Sequence, residues 1–314
     1  MDLLDGFGDF HLRGDRAPGG RADVISVIVP AHNEAAVILR GLDAMTAGAA
    51  PGEIEVIVVC NGCSDDTAQV ARGFGGPVKV IETEVPSKTN AMNLGDAAAS
   101  GFPRIYADAD VVLSLASIRA LAARLAPAPG GTLAAAPAVR TIYPAGTTWA
   151  VRAYYDFWMS LPYIQEGMMA AGVYAASQDG RARFDRFPDL ISDDGFFRLH
   201  FGPTERVEVA AALSTVSAPS NLADLIKIKT RSRLGVIQLM ARYPDRYNAE
   251  AKTKHYGQAM AAILAQPRLY LAALPYLWVN LVSRYRAGRQ VRRSEAYVWE
   301  RDNSSRAQAA AAEH

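Results

Sequence analysis

Two aspartates one residue apart, Asp108 and Asp110, follow directly on a short, largely apolar run over 104–107. Carboxylates at i and i+2 in a loop after a strand can turn toward one hard cation, and oxygen ligands of this kind suit Mg2+ or Mn2+. Such a cation is commonly shared with the phosphates of a substrate instead of being caged by protein alone. A second acidic pair, Asp193-Asp194, opens the stretch Asp-Asp-Gly-Phe-Phe about 85 residues further on. A carboxylate there can accept a proton from a reacting hydroxyl. Positive charge is concentrated at Lys88, within Ser87-Lys88-Thr89-Asn90, and at Lys229-Thr230-Arg231-Ser232-Arg233. The guanidiniums of Arg231 and Arg233 can clamp a diphosphate through bidentate hydrogen bonds. Each piece alone has a plainer reading. An Asp-x-Asp also marks a solvated turn, Asp193-Asp194 also suits the start of a helix through 195–200, and 229–233 also suits an exposed helix face.

These side chains need elements to carry them, and the first half of the chain supplies a regular set. Residues 24–29 and 54–59 are apolar, β-branched runs that read as buried strands, with 78–81 and the weaker 104–107 after them. Helices are expected between them near 34–47, 64–73 and 88–100, the second capped by Ser64 with Asp65 and Asp66 in its first turn. Alternation of this kind predicts βαβ units, an α/β fold with a mostly parallel central sheet flanked by helices. Ligands of such sheets bind beyond the carboxyl ends of the strands. The polar clusters after 29, 59 and 107 all fall at that edge. Further on, strands are expected at 133–139, 172–176 and 206–213. An aromatic-rich, mostly core helix is expected at 147–161, and a helix capped by Ser220 or Asn221 runs into the basic cluster.

Composition narrows the class. Of 314 residues half are hydrophobic, and Lys+Arg 33 against Asp+Glu 32 leaves a net charge of +1. That balance argues against a nucleic-acid partner, which asks for a clear basic excess. The charge is uneven locally: from Arg284 to Arg306 there are seven arginines and three acids. No secretory leader is visible in residues 1–23 and no run reaches the roughly 18 apolar residues of a membrane span, so a cytoplasmic location is the expectation. The apolar stretch over 269–282, interrupted by Pro275, is read either as a helix packed on the domain or as an interfacial membrane helix. Two cysteines, Cys60 and Cys63, form a C-x-x-C that is too small for a disulfide scaffold and short of ligands for structural zinc.

The order of five motifs is more specific than any one of them. Pro30-Ala31-His32-Asn33-Glu34 follows the first strand and Cys60-Asn61-Gly62-Cys63-Ser64-Asp65-Asp66-Thr67 the second. Lys88-Thr89-Asn90-Ala91-Met92-Asn93, Asp108-Ala109-Asp110, Asp193-Asp194 and Lys229 to Arg233 come next in that order. In this the chain resembles the family 2 glycosyltransferases, inverting enzymes with an A-type, Rossmann-like fold, over residues 24–235. The resemblance implies a donor pocket lined by Pro30, Ala31, Asn33 and Glu34, with Asn61 and Asp65 beside the base and Lys88 near the nucleotide. It implies that Asp108 faces the ribose and sugar, that Asp110 holds the metal bridging the diphosphate, and that Asp194, with Asp193 beside it, is the general base. A nucleotide-diphospho-sugar donor, Mn2+ or Mg2+, and a glycan or lipid-linked acceptor follow from the same resemblance, as in bacterial polysaccharide biosynthesis. Where many relatives carry aspartate and serine this chain has Cys60 and Cys63, so the base is left unassigned. Arg231-Ser-Arg233 also lacks the tryptophan of processive synthases, which points to single-sugar transfer.

The expected organisation is an N-terminal extension over 1–23, a catalytic domain over 24–235 and a helical C-terminal extension over 236–314 with a frayed tail. Residues 24–110 form its nucleotide-binding half and 111–235 its acceptor half. The C-terminal segment 269–293 is the candidate contact with the inner face of a cytoplasmic membrane. Two rivals are kept. A sugar-nucleotide nucleotidyltransferase would share the fold type, but it usually carries a glycine-rich loop with arginine and lysine after the first strand, which Pro30 to Glu34 does not resemble. A non-catalytic nucleotide or thiol-redox module would be built on Cys60 and Cys63.

Overall fold

The computed structural model describes residues 24–161, 172–251, 266 and 269–293. The expected N-terminal extension and frayed tail lie outside them. The β-branched runs form β1 (Ile25–Ala31) and β2 (Ile54–Asn61), buried along their whole length, with β3 (Val78–Thr83) at the sheet's edge and β4 (Arg104–Ala107) on the other side of β1. They run parallel, with Val27 opposite Val56 on one side and Ile105 on the other. Strands apolar at every position need cover on both faces, and helices provide it. Ile38, Leu42 and Met45 of α1 (Ile38–Thr46), Ala68 and Ala71 of α2 (Thr67–Phe74), and Ile118 and Leu121 of α4 (Leu115–Arg124) pack on the face that carries Val27, Val29, Val56 and Val58. The opposite face, with Ile28, Ile57 and Val59, meets Ala91 and Met92 of α3 (Lys88–Ala98). Gly95 lets that helix approach, because a Cβ there would stand 2.6 Å from Ile28 Cγ2.

The sheet then becomes mixed. Its order is β3-β2-β1-β4-β7-β6-β8-β5, with β7 (Val173–Ala176) antiparallel to β4, and β6 (Ala134–Ile142) antiparallel to β7. β8 (Arg206–Ser217) runs parallel to β6 with a register shift at Pro137/Ala138, and the two-residue β5 (Val112–Leu113) closes the edge. Around β4 and β7, Tyr106, Tyr174, Phe187 and Phe197 form an aromatic core with centroids 4.5 to 6.5 Å apart. The short helices α6 (Gln178–Arg181) and α7 (Asp193–Arg198) frame it.

The expected strands and helices are present, with informative differences at their ends. Helix α2 starts at Thr67 with Asp66 at the cap position, not at Ser64, whose backbone N–H instead donates to Asn33 Oδ1. Helix α5 (Trp149–Met159) is flanked by α8 (Leu222–Arg242), whose cap is Asn221, its side chain accepting from Asp224 N. Helix α8 runs on through position 235 and is followed by α9 (Pro244–Ala251). The apolar stretch near 269–282 belongs to a longer helix, α10 (Leu269–Arg293), which continues through Pro275 and packs one face on α5 and α8. Among the described residues no helix is long and apolar enough to cross a membrane.

Candidate active site

Because β1, β2 and β4 are parallel, their carboxyl ends reach one edge, and the loops that follow are laced together there. Asn33 adopts a left-handed backbone (φ 53°), a conformation Asn tolerates better than most residues. Its side-chain amide donates to Ser64 Oγ at 3.0 Å and its oxygen accepts from Ser64 N at 2.6 Å. Glu34 N donates to Thr67 Oγ1 (2.7 Å), and Asp65 accepts from Ala35 N (3.2 Å) and Thr67 N (3.1 Å). Asn61 is buried and donates to the carbonyl of Ala31 (2.8 Å), while its own carbonyl meets His32 Nδ1 at 2.5 Å. Pro30, Ala31 and Glu34 are also buried. Asn33, Asn61 and Asp65 thus spend these groups on holding the β1 and β2 loops in one shape. Cys63 belongs to the same lacing: its thiol accepts from Asn33 N at 3.4 Å and lies 3.6 Å from the carbonyl of Ala31. Burial, aided by the neighbouring Cys63, pushes the Cys60 thiol up to about 12. Redox and metal chemistry need the thiolate, so Cys60 is poorly suited to either.

The centre of the site is Lys88, the first residue of α3, behind the capping hydroxyl of Ser87 that accepts from Asn90 N. Its Nζ lies 2.7 Å from Asp108 Oδ1 and 3.0 Å from Asp193 Oδ1. One ammonium therefore joins the acid at the end of β4 to the acid pair at the start of α7. The bland reading of that pair is also correct as far as it goes: Asp193 and Asp194 do sit in a helix's first turn. Burial alone would lower the Lys88 pKa, but the carboxylates of Asp108 and Asp193 raise it above the usual lysine range. Burial, helped by Asp193 and Asp110 and opposed by Lys88, lifts Asp108 above an ordinary aspartate. Asp193 is fixed from its other oxygen by the Tyr174 hydroxyl at 2.7 Å. Gly172, at φ 76°, lets β7 begin against Asp108: its carbonyl accepts from Asp108 N, and a Cβ there would stand 2.8 Å from Val111 Cγ2.

Asp194 stands beside this bridge and is exposed. Its Oδ1 accepts from Ser192 Oγ (2.8 Å) and Gly195 N (2.7 Å), and among the described residues no donor is hydrogen-bonded to Oδ2. The carboxylate is thus oriented through one oxygen and accessible through the other. Asp110 is half-buried in the turn after Asp108, and its carbonyl accepts from Arg40 at 3.4 Å. Among the described residues no three His, Cys, Asp or Glu side chains cluster as a closed metal cage. The donor set here, aspartate oxygens with Asp108 Oδ1 already on Lys88, fits a hard cation that draws its remaining ligands from a diphosphate and water.

Helix α8 reaches the site through Gly235, where a Cβ would stand 2.7 Å from Ser192 Cβ. Arg231, one turn earlier, shares that face. Arg233 does not, because residues two apart point to different sides of a helix. Its Nη2 donates to Asn280 Oδ1 of α10 at 3.1 Å, so the two arginines are not a paired clamp on one ligand. Lys229, on the Arg233 side, lies over Trp158 (4.0 Å), Tyr154 (5.2 Å) and Tyr155 (5.8 Å). Burial and then Arg233 lower it to about 8. Sequence reading names Lys229 but not this aromatic box, and it misses Tyr174. In the sequence Tyr174 shows only as a member of the expected strand 172–176, and its place opposite Tyr106 emerges from the strand pairing.

A family model described as Glycosyl transferase family 2 matches residues 26–169, the span from β1 through α5 with the loops just described. Over residues 26–169 the chain is similar to glycosyl transferase family 2. Among curated relatives, this chain is 36% identical over 91 residues to glycosyltransferase AglE of Haloferax volcanii, 27% of this chain and 30% of that one. It is 35% identical over 94 residues to the probable glycosyltransferase YdaM of Bacillus subtilis, 27% of this chain and 22% of that one. The matched segments span under a third of either relative's length. Among solved structures, the mannosyltransferase PcManGT from Pyrobaculum calidifontis in complex with GDP-Man and Mn2+ superposes with a TM-score of 0.56. Its sequence is 19% identical, and the match covers 88% of this chain and 77% of that one. Glucosyl-3-phosphoglycerate synthase from Mycobacterium tuberculosis, in complex with Mn2+, UDP and phosphoglyceric acid, gives a TM-score of 0.51 at 22% identity, over 70% of this chain and 78% of that one. The fold is the A-type glycosyltransferase fold.

Proposed function

We propose that this protein is an inverting glycosyltransferase that moves one sugar from a nucleotide-diphospho-sugar to a hydroxyl of a glycan or lipid-linked acceptor. The observation that carries the reading is the Lys88 bridge, which sets Asp108 and Asp193 within 3.0 Å of one ammonium and so gathers the metal-type and base-type motifs at one place. The solved structures of the same fold contain GDP-Man with Mn2+ and UDP with Mn2+, which supports a nucleotide-sugar donor and a divalent cation here. In this reading residues 24–110 hold the nucleotide, with the braced loops of Asn33, Asn61 and Asp65 shaping its pocket, and residues 111–235 hold the acceptor.

The chemistry follows from what the side chains can do. The acceptor hydroxyl attacks the anomeric carbon on the face opposite the leaving diphosphate, and Asp194 takes its proton through the accessible oxygen. Asp193 is committed to Lys88 and Tyr174, so it positions the helix start while its neighbour reacts. Arg231 approaches the charge that develops on the departing nucleoside diphosphate, at the α8 face that touches Ser192. Asp110 and Asp108 would hold Mn2+ or Mg2+, which when bound neutralises the diphosphate as it leaves. The test is Asp194→Asn. Turnover with the donor should fall a hundredfold or more while nucleoside diphosphate affinity stays within about twofold, as expected for loss of a general base. Turnover near wild type would move the base elsewhere.

A further inference from the structure

Helix α10 has a buried side and an exposed side, and both are apolar. Leu269, Ala272, Val279 and Ala287 are buried, the first three against residues of α5 and α8. On the other side Leu271, Leu274, Leu277, Trp278, Leu281 and Tyr285 are 57% to 69% exposed. At about 100° per residue these six fall within an arc of about 120°, a continuous stripe and not scattered surface residues. Just beyond it, Arg284, Arg289 and Arg292 are exposed, none forms an ion pair among the described residues, and no Asp or Glu occurs anywhere in 269–293. A soluble surface seldom leaves such a stripe bare, which marks it as a contact for something else.

We infer that this face of α10 lies in the interfacial layer of a lipid bilayer carrying anionic headgroups. The helix is not long and apolar enough to span, but one apolar stripe with arginines beside it is what an in-plane interfacial helix presents. Charge decides between occupants. A second copy of the same face would bring these arginines toward arginines, with no Asp or Glu within 269–293 to meet them, whereas anionic headgroups supply negative charge. The apolar stripe has no counterpart in a nucleic acid, whose surface here would engage the arginines alone. A docked α10 would also bring α5 and α8, on which it packs, to the membrane surface.

Full-length protein is sedimented with vesicles of phosphatidylcholine alone or with 30% phosphatidylglycerol, without donor or acceptor, so the result does not depend on transferase activity. Binding should be at least tenfold stronger to the anionic vesicles, with a blue shift of tryptophan emission that Trp278→Phe removes. Leu277→Asp with Leu281→Asp should lose tenfold or more. Arg284→Glu with Arg289→Glu and Arg292→Glu should lose about a hundredfold, taking about fivefold per basic side chain. Both sets lie on exposed positions, so circular dichroism melts should match wild type. Equal weak sedimentation with both vesicles overturns the inference. So does a dimer by light scattering that Leu277→Asp dissociates, or a Trp278 emission already blue-shifted without vesicles.

Discussion

At the residue scale, the two aspartates of the Asp-x-Asp are not equivalent. Asp108 has one oxygen on Lys88 and its backbone N–H on Gly172, so it is fixed before any ligand arrives. Asp110, two residues on and half-buried, is on the proposed reading the residue that would carry the larger share of a cation bound with a diphosphate. Nucleoside diphosphates should raise the melting temperature more with Mn2+ present than after chelation, because a ligand that binds only the folded state stabilises it. In Asp110→Ala the Mn2+-dependent part of this shift should vanish and the metal-independent part survive. A full Mn2+-dependent shift in that variant would reject the assignment. The candidate acids and cations were legible in the sequence as motifs because carboxylates and guanidiniums at set spacings are distinctive. Tyr174 and the Lys229 box were not, because a phenol becomes a carboxylate's partner, or an aromatic a cation's, only through tertiary contact. The same limit explains Arg233. The spacing of Arg231 and Arg233 in sequence suits a clamp, but once on a helix it turns them apart.

At the element scale, strands β1 and β2 were readable because their β-branched runs are unbroken, and a cap at Ser220 or Asn221 because both residue types can accept from a first-turn N–H, the structure selecting Asn221. The start of α2 was not, since Asp65 spends its oxygens on Ala35 and Thr67 and so belongs to the loop lacing. The two-residue β5 offers too little pattern to find. The amino end of the sheet, away from the site, has a hub that sequence could not signal. Glu55 opens the second position of β2, and its carboxylate accepts from Ser26 Oγ, Lys79 Nζ, Ser100 N and Ser100 Oγ at 2.5 to 2.8 Å. Burial alone would raise its pKa, yet the Lys79 ammonium and the Ser100 and Ser26 donors hold it down to about 2. A carboxyl lowered in the folded state adds stability that is complete above its unfolded value near 4.5 and is lost as pH falls toward 2. Glu55→Gln should therefore cost about 3 kcal/mol at pH 7, with the gap to wild type closing between about pH 4.5 and 2 in denaturant titrations. Turnover of the folded fraction should be unchanged, because Glu55 lies at the other end of the strand from the reacting groups. A gap that persists at pH 2 would mean that packing, not charge, is what the variant loses.

At the scale of the whole molecule, a parallel part and a mixed part are joined into one eight-stranded sheet, and the join is the antiparallel β4–β7 pairing directly beneath the site. Lys88 spans that join from above: it is carried by α3 on the parallel side, holds Asp108 at the end of β4, and reaches Asp193 beyond β7. If its main work is to fasten the two halves, Lys88→Met leaves two carboxylates facing one another with no cation between them. Removing one partner of a fully buried pair costs about 3–5 kcal/mol. Here the Lys88 and Asp108 side chains are 25% and 35% exposed, so a loss of about 1–3 kcal/mol is the discounted expectation. Folding stability and donor affinity should then fall together, and Lys88→Arg, which restores the charge, should recover most of the stability. The alternative is that Lys88 swings to the donor phosphates, with the bridge being its resting contact. In that case Lys88→Met would weaken nucleoside diphosphate binding while the denaturation midpoint stayed put. Measuring both quantities on one variant separates a strut from a ligand, because a strut cannot be removed without the two halves of the sheet registering its loss.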